Sequence, residues 1–207
     1  MRAAQDRKRA RARSGRHPRH ESLVAATVGP VTCDVRHATS MFPTPPPVEP
    51  MLAKLSEALP TGGGFLFEPK WDGFRCLAFR DGSEVYLQSK SGQPLSRYFP
   101  DLVAALLKLQ ATHFVLDGEI VVPVGQSTSF DDLLLRIHPA ATRVAQLARQ
   151  RPAKFIVFDL LADNLTESLL KQPLRERREK LQEFAAKFLQ DNTSLRLSPA
   201  TTNIRTA

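Results

Sequence analysis

This chain of 207 residues is long enough for one domain with a hydrophobic core, and its 42% hydrophobic and 24% charged residues are ordinary for a globular protein. No apolar run is long enough to span a membrane, so we expect no membrane partner. Its two cysteines lie in dissimilar contexts without metal-ligand spacing, and a reduced, cytoplasmic location is expected.

The net charge of +8 is concentrated near the amino terminus. Residues 1–40 hold nine basic and three acidic residues, whereas residues 41–207 hold twenty and eighteen. Because residues 1–40 show no apolar period, we predict a disordered basic tail that attracts nucleic acid without reading its sequence. An organellar transit peptide is a second interpretation, since the segment is rich in Arg and poor in acids. Residues 41–207 are predicted to form one domain.

The first part of this domain is predicted to contain an extended lead-in, a short helix and three strands. Prolines over residues 43–50 predict an extended lead-in, and Met51–Leu59 predicts a short helix. Three strands joined by two Asp-Gly hairpin turns are then expected as a meander, at Phe65–Trp71, Phe74–Arg80 and Glu84–Ser89, with turns at Asp72-Gly73 and Asp81-Gly82.

The second part alternates helices and strands. We predict them in this order: a helix at Tyr98–Gln110, a strand at His113–Val124, a helix capped by Ser129 at Ser129–Ile137, a helix at Ala140–Arg149, a strand at Lys154–Leu161 and a helix at Pro173–Leu189. The apolar stripe of the last helix is Leu174, Leu181, Phe184 and Phe188, and we expect Arg175, Arg177 and Arg178 on its solvated face.

The stretch Phe67–Arg75, FEPKWDGFR, concentrates reactive side chains. A lysine such as Lys70 becomes a nucleophile only after losing its proton, which desolvation or a nearby positive charge promotes. Glu68 and Asp72 are then placed to orient the amine, hold a metal or bind a ligand. The alternative is a surface hairpin with its charges on the solvated face.

Two further strands carry unusual residues. Asp117 and Glu119 lie on one face of an otherwise apolar strand, where carboxylates are costly unless they have partners. Either they pair with an arginine, or they face a cleft that binds a ribose hydroxyl or a metal. Phe158 shares a face with Ile156 and Leu160 in the alternating pattern, and an aromatic there is by default a core residue.

The string E-P-K-W-D-G-F-R resembles the E-x-K-x-D-G-x-R signature of covalent nucleotidyltransferases, namely ATP-dependent DNA ligases, RNA ligases and mRNA capping enzymes. VLDGEIV and FIVFDLL resemble the ligase motifs that follow the lysine motif, and SFDDLLLRIHPAATRV resembles the mycobacterial-type ligases called ligase C. The resemblance implies an α+β fold with antiparallel sheets flanked by helices, the covalent nucleotidyltransferase (ATP-grasp-like) fold. It also implies ATP and Mg²⁺ as cofactors.

The resemblance also implies a role for each matching residue. Lys70 is expected to capture AMP as lysyl-AMP, and Glu68 is expected to contact the adenine. Arg75 would contact the ribose and phosphate. Glu119 would bind the ribose or the metal, and Phe158 would stack on the base.

Lys90 lies in Ser89-Lys90-Ser91-Gly92, where ligases usually have S-R-x-G with an arginine that contacts the nucleotide or the DNA. Lysine keeps that charge but lacks the bidentate fork. We expect nicked double-stranded DNA as the partner and a monomer as the oligomeric state, with DNA repair as the setting.

The resemblance extends from Pro47 to about Thr202. It ends before the E-G-x-x-x-K motif, the K-x-K motif and the OB-fold domain of the ligases, so we expect a truncated adenylation domain whose competence is an open question. Two alternatives stay open: an RNA ligase or capping-type nucleotidyltransferase, and an inactive fragment that binds nucleotide or DNA.

Overall fold

The computed structural model describes residues 23–25, 44–52, 56–60, 63–163 and 167–206. Within these ranges, no helix combines the length and the apolar character needed to cross a bilayer. Of the tail predicted over residues 1–40, Leu23–Ala25 form a short strand, β1, and the remainder lies outside the described residues. The described residues of the helix predicted over Met51–Leu59 are not helical.

The remaining elements follow in chain order. The strands are β2 (Phe67–Pro69), β3 (Phe74–Asp81), β4 (Glu84–Ser89), β5 (His113–Val121), β6 (Pro123–Val124), β7 (Ser127–Thr128), β8 (Lys154–Asp163), β9 (Glu167–Ser168) and β10 (Leu195–Leu197). The helices are α1 (Pro100–Leu107), α2 (Phe130–Leu134), α3 (Ala141–Gln150) and α4 (Leu174–Phe188), with a 3-10 turn at Ser96–Tyr98 before α1.

One central sheet has the strand order β10-β8-β5-β3-β4, and β9 also pairs with β8. Its described strand pairs are antiparallel except β10 with β8. This pair is parallel because helix α4 returns the chain to the end of the sheet where β8 begins. The predicted α+β arrangement, with largely antiparallel strands and flanking helices, is confirmed. The single parallel pair is an addition to that prediction.

The core lies on one face of this sheet, called here the helical face. Phe155 and Ile120 of the sheet pack there with Leu102 of α1, Leu133 of α2 and Phe184 of α4, each 3% exposed or less. This contact explains why the apolar residues recur at helical spacing, since each helix buries one stripe against the sheet.

The opposite face, called here the site face, is covered by the lead-in segment, residues 44–52. Val48 packs in a cluster with Leu77, Phe79 and Val115. Gln88 holds this segment to β4, because its side-chain amide donates to the Val48 carbonyl at 2.6 Å and accepts from the Val48 amide at 3.0 Å. The lead-in is therefore anchored across the sheet, close to where β3 begins.

The predicted meander is only partly correct. The hairpin between β3 and β4 forms, with Asp81 opposite Glu84 and Gly82 at a φ of 56° in its loop. However, β2 is shorter than predicted and pairs with β1 instead of β3. Asp72-Gly73 is therefore not a hairpin turn but a link that carries the chain from β2 into the central sheet.

Candidate functional site

An ion pair between partly exposed Arg75 and buried Asp117 lies on the site face, where β3 and β5 run side by side. Arg75 donates from Nε to Asp117 Oδ1 at 2.6 Å and from Nη2 to Oδ2 at 2.8 Å. Burial disfavours the charged guanidinium, but Asp117 and then Glu119 outweigh it, so the pKa of Arg75 lies above its ordinary value. A third bond, from Nη2 to the Met51 carbonyl at 3.3 Å, ties this arginine to the lead-in.

A bulge in β8 places Phe158 and Asp159 beside the ion pair of Arg75 and Asp117. Gly118 faces Val157 and Asp117 faces Asp159, so Phe158 is an extra residue between them. Phe155 and Val157 lie in the helical-face core, so Phe158 keeps the alternation of the first half of β8, and its ring centroid lies 4.3 Å from Cζ of Arg75. The expectation that it shares a face with Leu160 is wrong, because Leu160 is packed in the helical-face core.

Helix α4 supplies two buried arginines to this cluster. Arg177 donates to both oxygens of Asp159, at 2.8–3.2 Å, and Arg178 donates to Glu68 Oε1 at 2.5 Å. The expectation of a solvated position for them is wrong, since each is 5% exposed. Both lie three or four residues after Leu174, so the helical period itself places them on the buried stripe.

Gly73 makes the closest approach between the linking segment and β5. A Cβ atom added there would lie 2.1 Å from the Ile120 carbonyl oxygen and 3.0 Å from Cγ of Glu119. The Gly73 backbone amide is also near enough to the Glu119 carboxyl to lower its pKa, although burial outweighs this effect. Glycine is thus required for close contact, and this contact joins the Lys70 segment to Glu119.

Two carboxylates of the cluster are hard to ionise. Burial raises the pKa of Glu68 from 4.5 to about 7, against the opposing field of Arg178. Burial likewise raises the pKa of Glu119 from 4.5 to about 7, against the field of Arg75. Near neutral pH both side chains therefore exist as mixtures of the acid and the carboxylate.

The raised pKa of Glu68 predicts a pH dependence of stability. A carboxyl that binds its proton more tightly when folded stabilises the fold fully below pH 4.5, and this contribution is lost as pH rises through about 7. The free energy of unfolding of the wild type minus that of Glu68→Gln should therefore fall by about 2–3 kcal/mol between pH 4.5 and pH 8. Urea denaturation of both proteins across this range measures it, and parallel pH profiles would contradict the prediction.

Four of the six predicted site residues lie together, and the other two lie at the edge of this group. Arg75 and Phe158 are in contact, Glu119 is opposite Arg75 in the β3–β5 register, and Glu68 shares Arg178 with the Phe158 carbonyl. The other two, Lys70 and Lys90, are exposed at the edge of this group.

The chain length limits how far Lys70 lies from the cluster. Glu68 is two residues before it and Gly73 three residues after it, and three extended residues span at most about 11 Å. Lys90 follows β4 in a loop whose Gly92 faces Pro47 of the lead-in, with 3.8 Å between an added Cβ and the Pro47 Cβ. Both lysines therefore border the site face.

The carboxylates near Lys70 meet part of what a divalent cation needs. Among the described residues, no three His, Cys, Asp or Glu side chains come together as a complete cation cage. Magnesium bound to phosphate groups needs only one or two protein carboxylates. Glu119 is partly exposed and has Asp72 near enough to raise its pKa, so this pair fits an ion shared with phosphates.

The chain matches the family model described as ATP dependent DNA ligase domain over residues 50–206. It is 48% identical over 166 residues to DNA ligase C2 of Mycolicibacterium smegmatis, which covers 80% of this chain and 45% of that protein. DNA ligase C of Mycobacterium tuberculosis is 44% identical over 167 residues, covering 80% of this chain and 46% of that protein. The chain thus spans less than half the length of these curated relatives.

Solved structures of ligases match a smaller share of this chain. The ligase domain from M. tuberculosis LigD is 29% identical, with a TM-score of 0.48 over 65% of this chain and 39% of that one. A mycobacterial DNA ligase D complexed with ATP and MES is 28% identical, with a TM-score of 0.47 over 65% and 40%.

Proposed function

Because this chain belongs to the ATP-dependent DNA ligase domain family, we propose that it is the adenylation domain of a DNA ligase and that Lys70 is its nucleophile. The deprotonated amine attacks the α-phosphorus of ATP. A nitrogen–phosphorus bond forms, the bond from that phosphorus to the bridging oxygen breaks, pyrophosphate leaves with the electron pair, and the nitrogen releases one proton to solvent. The product is lysyl-AMP on Lys70.

The proposal extends to the whole ligase reaction. The AMP group passes from Lys70 to the 5′-phosphate at a nick in double-stranded DNA. The 3′-hydroxyl then attacks that phosphate, AMP leaves, and the strand is sealed. DNA repair is the proposed setting for this activity.

The observation that supports the proposal most strongly is the convergence of Glu68, Arg75, Glu119 and Phe158 beside the Lys70 segment. Arg75 covers one face of the Phe158 ring, and the other face is proposed to stack on adenine, worth about 1–3 kcal/mol. In the described contacts Arg75 uses Nε and Nη2, so Nη1 remains to donate to the ribose or a phosphate.

Three further roles complete this proposal. Glu68 contacts the adenine, and Lys90 attracts the phosphates of the nucleotide or the DNA. Glu119, with Asp72 beside it, would hold Mg²⁺ between the protein and the phosphates of ATP. When bound, this ion neutralises charge that develops on the leaving pyrophosphate.

Covalent labelling tests the proposed nucleophile. With Mg²⁺ and α-labelled ATP, we expect label that survives denaturation on the wild-type chain and no label on Lys70→Ala. The matched control, Lys108→Ala, removes an exposed lysine of the α1 C-cap and should label normally. Label retained by Lys70→Ala would show that another residue is the nucleophile.

The same assay separates the two alternatives. An RNA ligase cannot be told from a DNA ligase at this first step, but a capping-type enzyme would be labelled by GTP instead of ATP. A wild-type chain that takes up no label would favour the interpretation as an inactive fragment.

A further inference from the structure

Arg178 of α4 joins three separate segments of the chain. Its guanidinium donates to Glu68 Oε1 at 2.5 Å, to the Phe158 carbonyl at 3.2 Å and to the Ser198 carbonyl at 2.5 Å. These acceptors belong to β2, to the β8 bulge and to the segment after β10. One buried side chain thus holds the strand before Lys70 against the strand that carries Phe158.

Ser198 extends this connection to the other side of Lys70. It is fully buried, and its amide donates to the Val157 carbonyl at 2.8 Å. Its hydroxyl accepts a hydrogen bond from the indole Nε1 of Trp71 at 3.0 Å. Arg178 therefore acts on the chain on both sides of the lysine, on Glu68 directly and on Trp71 through Ser198.

The burial of Arg178 includes a contribution that is unfavourable for stability. Its Nε is buried, and among the described residues it has no hydrogen-bond partner. An unsatisfied buried donor destabilises the fold, and such groups are found where function constrains a side chain. Arg175, three residues earlier on the same helix, is exposed and lies outside this network.

We propose that Arg178 is a positioning residue that orients Glu68 and gives the site its preference for adenine over guanine. This inference rests on the proposed function. Arg178 occupies Oε1 of Glu68, which leaves Oε2 to accept a hydrogen bond from the 6-amino group of adenine. Guanine has a keto oxygen at that position, which cannot donate to the ionised Oε2, and the charge of Arg178 favours this ionised form of Glu68.

A first experiment needs no nucleotide. The ¹³C carboxyl signal of Glu68, assigned with Glu68→Gln, is titrated by NMR together with the indole N–H signal of Trp71, the single tryptophan of the chain. Arg178, Asp159 and Arg75 are the charged groups that act on Glu68. In Arg178→Met we expect the Glu68 midpoint to rise and the Trp71 signal to move. Arg178→Lys should give intermediate values, and Arg175→Met should change neither.

A second experiment measures covalent labelling with ATP and GTP. For Arg178→Met we expect the KM for ATP to rise at least about tenfold and the ATP-over-GTP ratio of kcat/KM to fall by at least about tenfold. The kcat with saturating ATP should change less than about threefold, because Arg178 does not touch the reacting atoms. A partial return of base preference in Arg178→Lys would separate positioning from a loss of fold.

Failure of the proposed function and failure of the positioning role of Arg178 would give different results. Wild-type chain that takes up no label, with a Glu68 midpoint that still depends on Arg178, would end the proposed function and keep the positioning role. Unchanged Glu68 titration, Trp71 signal and base preference in Arg178→Met would overturn the positioning role. If Arg178→Met does not fold, Arg178→Lys decides, since an unchanged Glu68 midpoint in that variant would also overturn it.

Discussion

Replacing Asp117 by alanine should lower the free energy of unfolding by about 3 kcal/mol, the lower end of the usual cost of leaving one partner of a buried ion pair alone, because the remaining Arg75 side chain is 25% exposed. Asp117 is 2% exposed and takes both donors of the Arg75 fork at 2.6 and 2.8 Å. Without it, the Arg75 guanidinium would remain beside the Phe158 ring with no carboxylate in bidentate contact. Urea denaturation at neutral pH measures the loss.

Two further variants show whether this loss comes from the unpaired charge. Arg75→Met combined with Asp117→Leu removes both charges and fills their volume, and it should recover most of the stability. If Arg75 contacts ATP as proposed, the double variant should fold yet take up little label. Asp131→Ala, at an exposed position on α2, should shift stability by no more than about 0.5 kcal/mol. A loss below about 1 kcal/mol in Asp117→Ala would contradict the prediction.

Gly73→Ala should be nearly as damaging, by a different mechanism. The new methyl group would lie 2.1 Å from the Ile120 carbonyl oxygen, which is backbone and cannot rotate away. We expect a loss of about 1–3 kcal/mol and, because the linking segment must move away from β5, a large decrease in labelling at Lys70. Thermal unfolding and the labelling assay measure the two effects.

The matched control for this variant is Gly63→Ala, before β2. An added Cβ there meets nothing within 4 Å, and its φ is not in the left-handed range. It should leave both stability and labelling close to the wild-type values. A Gly73→Ala variant that labels normally would show that the contact between Gly73 and Glu119 does not position the lysine segment.

The central strands were predictable because their signals are local. The sequence predicted β3, β4 and β8 to within about two residues, since each is a run of apolar and β-branched residues that turn signals bound. The Ser129 cap of α2 is likewise confirmed, with the Asp132 amide donating to its hydroxyl at 3.2 Å. Such features need only neighbouring residues.

The errors concern contacts between distant residues. Period-two alternation placed Phe158 with Leu160, but a bulge depends on how β8 pairs with β5, which no single strand reveals. Arg177 and Arg178 were assigned to solvent because charged residues are usually exposed. Their acceptors, Asp159, Glu68 and Ser198, come from other elements, and those contacts make burial tolerable.

The sequence by itself determined the family and the candidate reactive groups, because a motif such as E-x-K-x-D-G-x-R requires specific side chains at fixed spacing. Only the tertiary structure decided which groups meet. It paired Arg75 with Asp117, set the Phe158 ring against Arg75 and brought the α4 arginines to Glu68 and Asp159. The physical reason is that a buried charge must find its partner in space, and that partner lies 18 to 110 residues away along the chain.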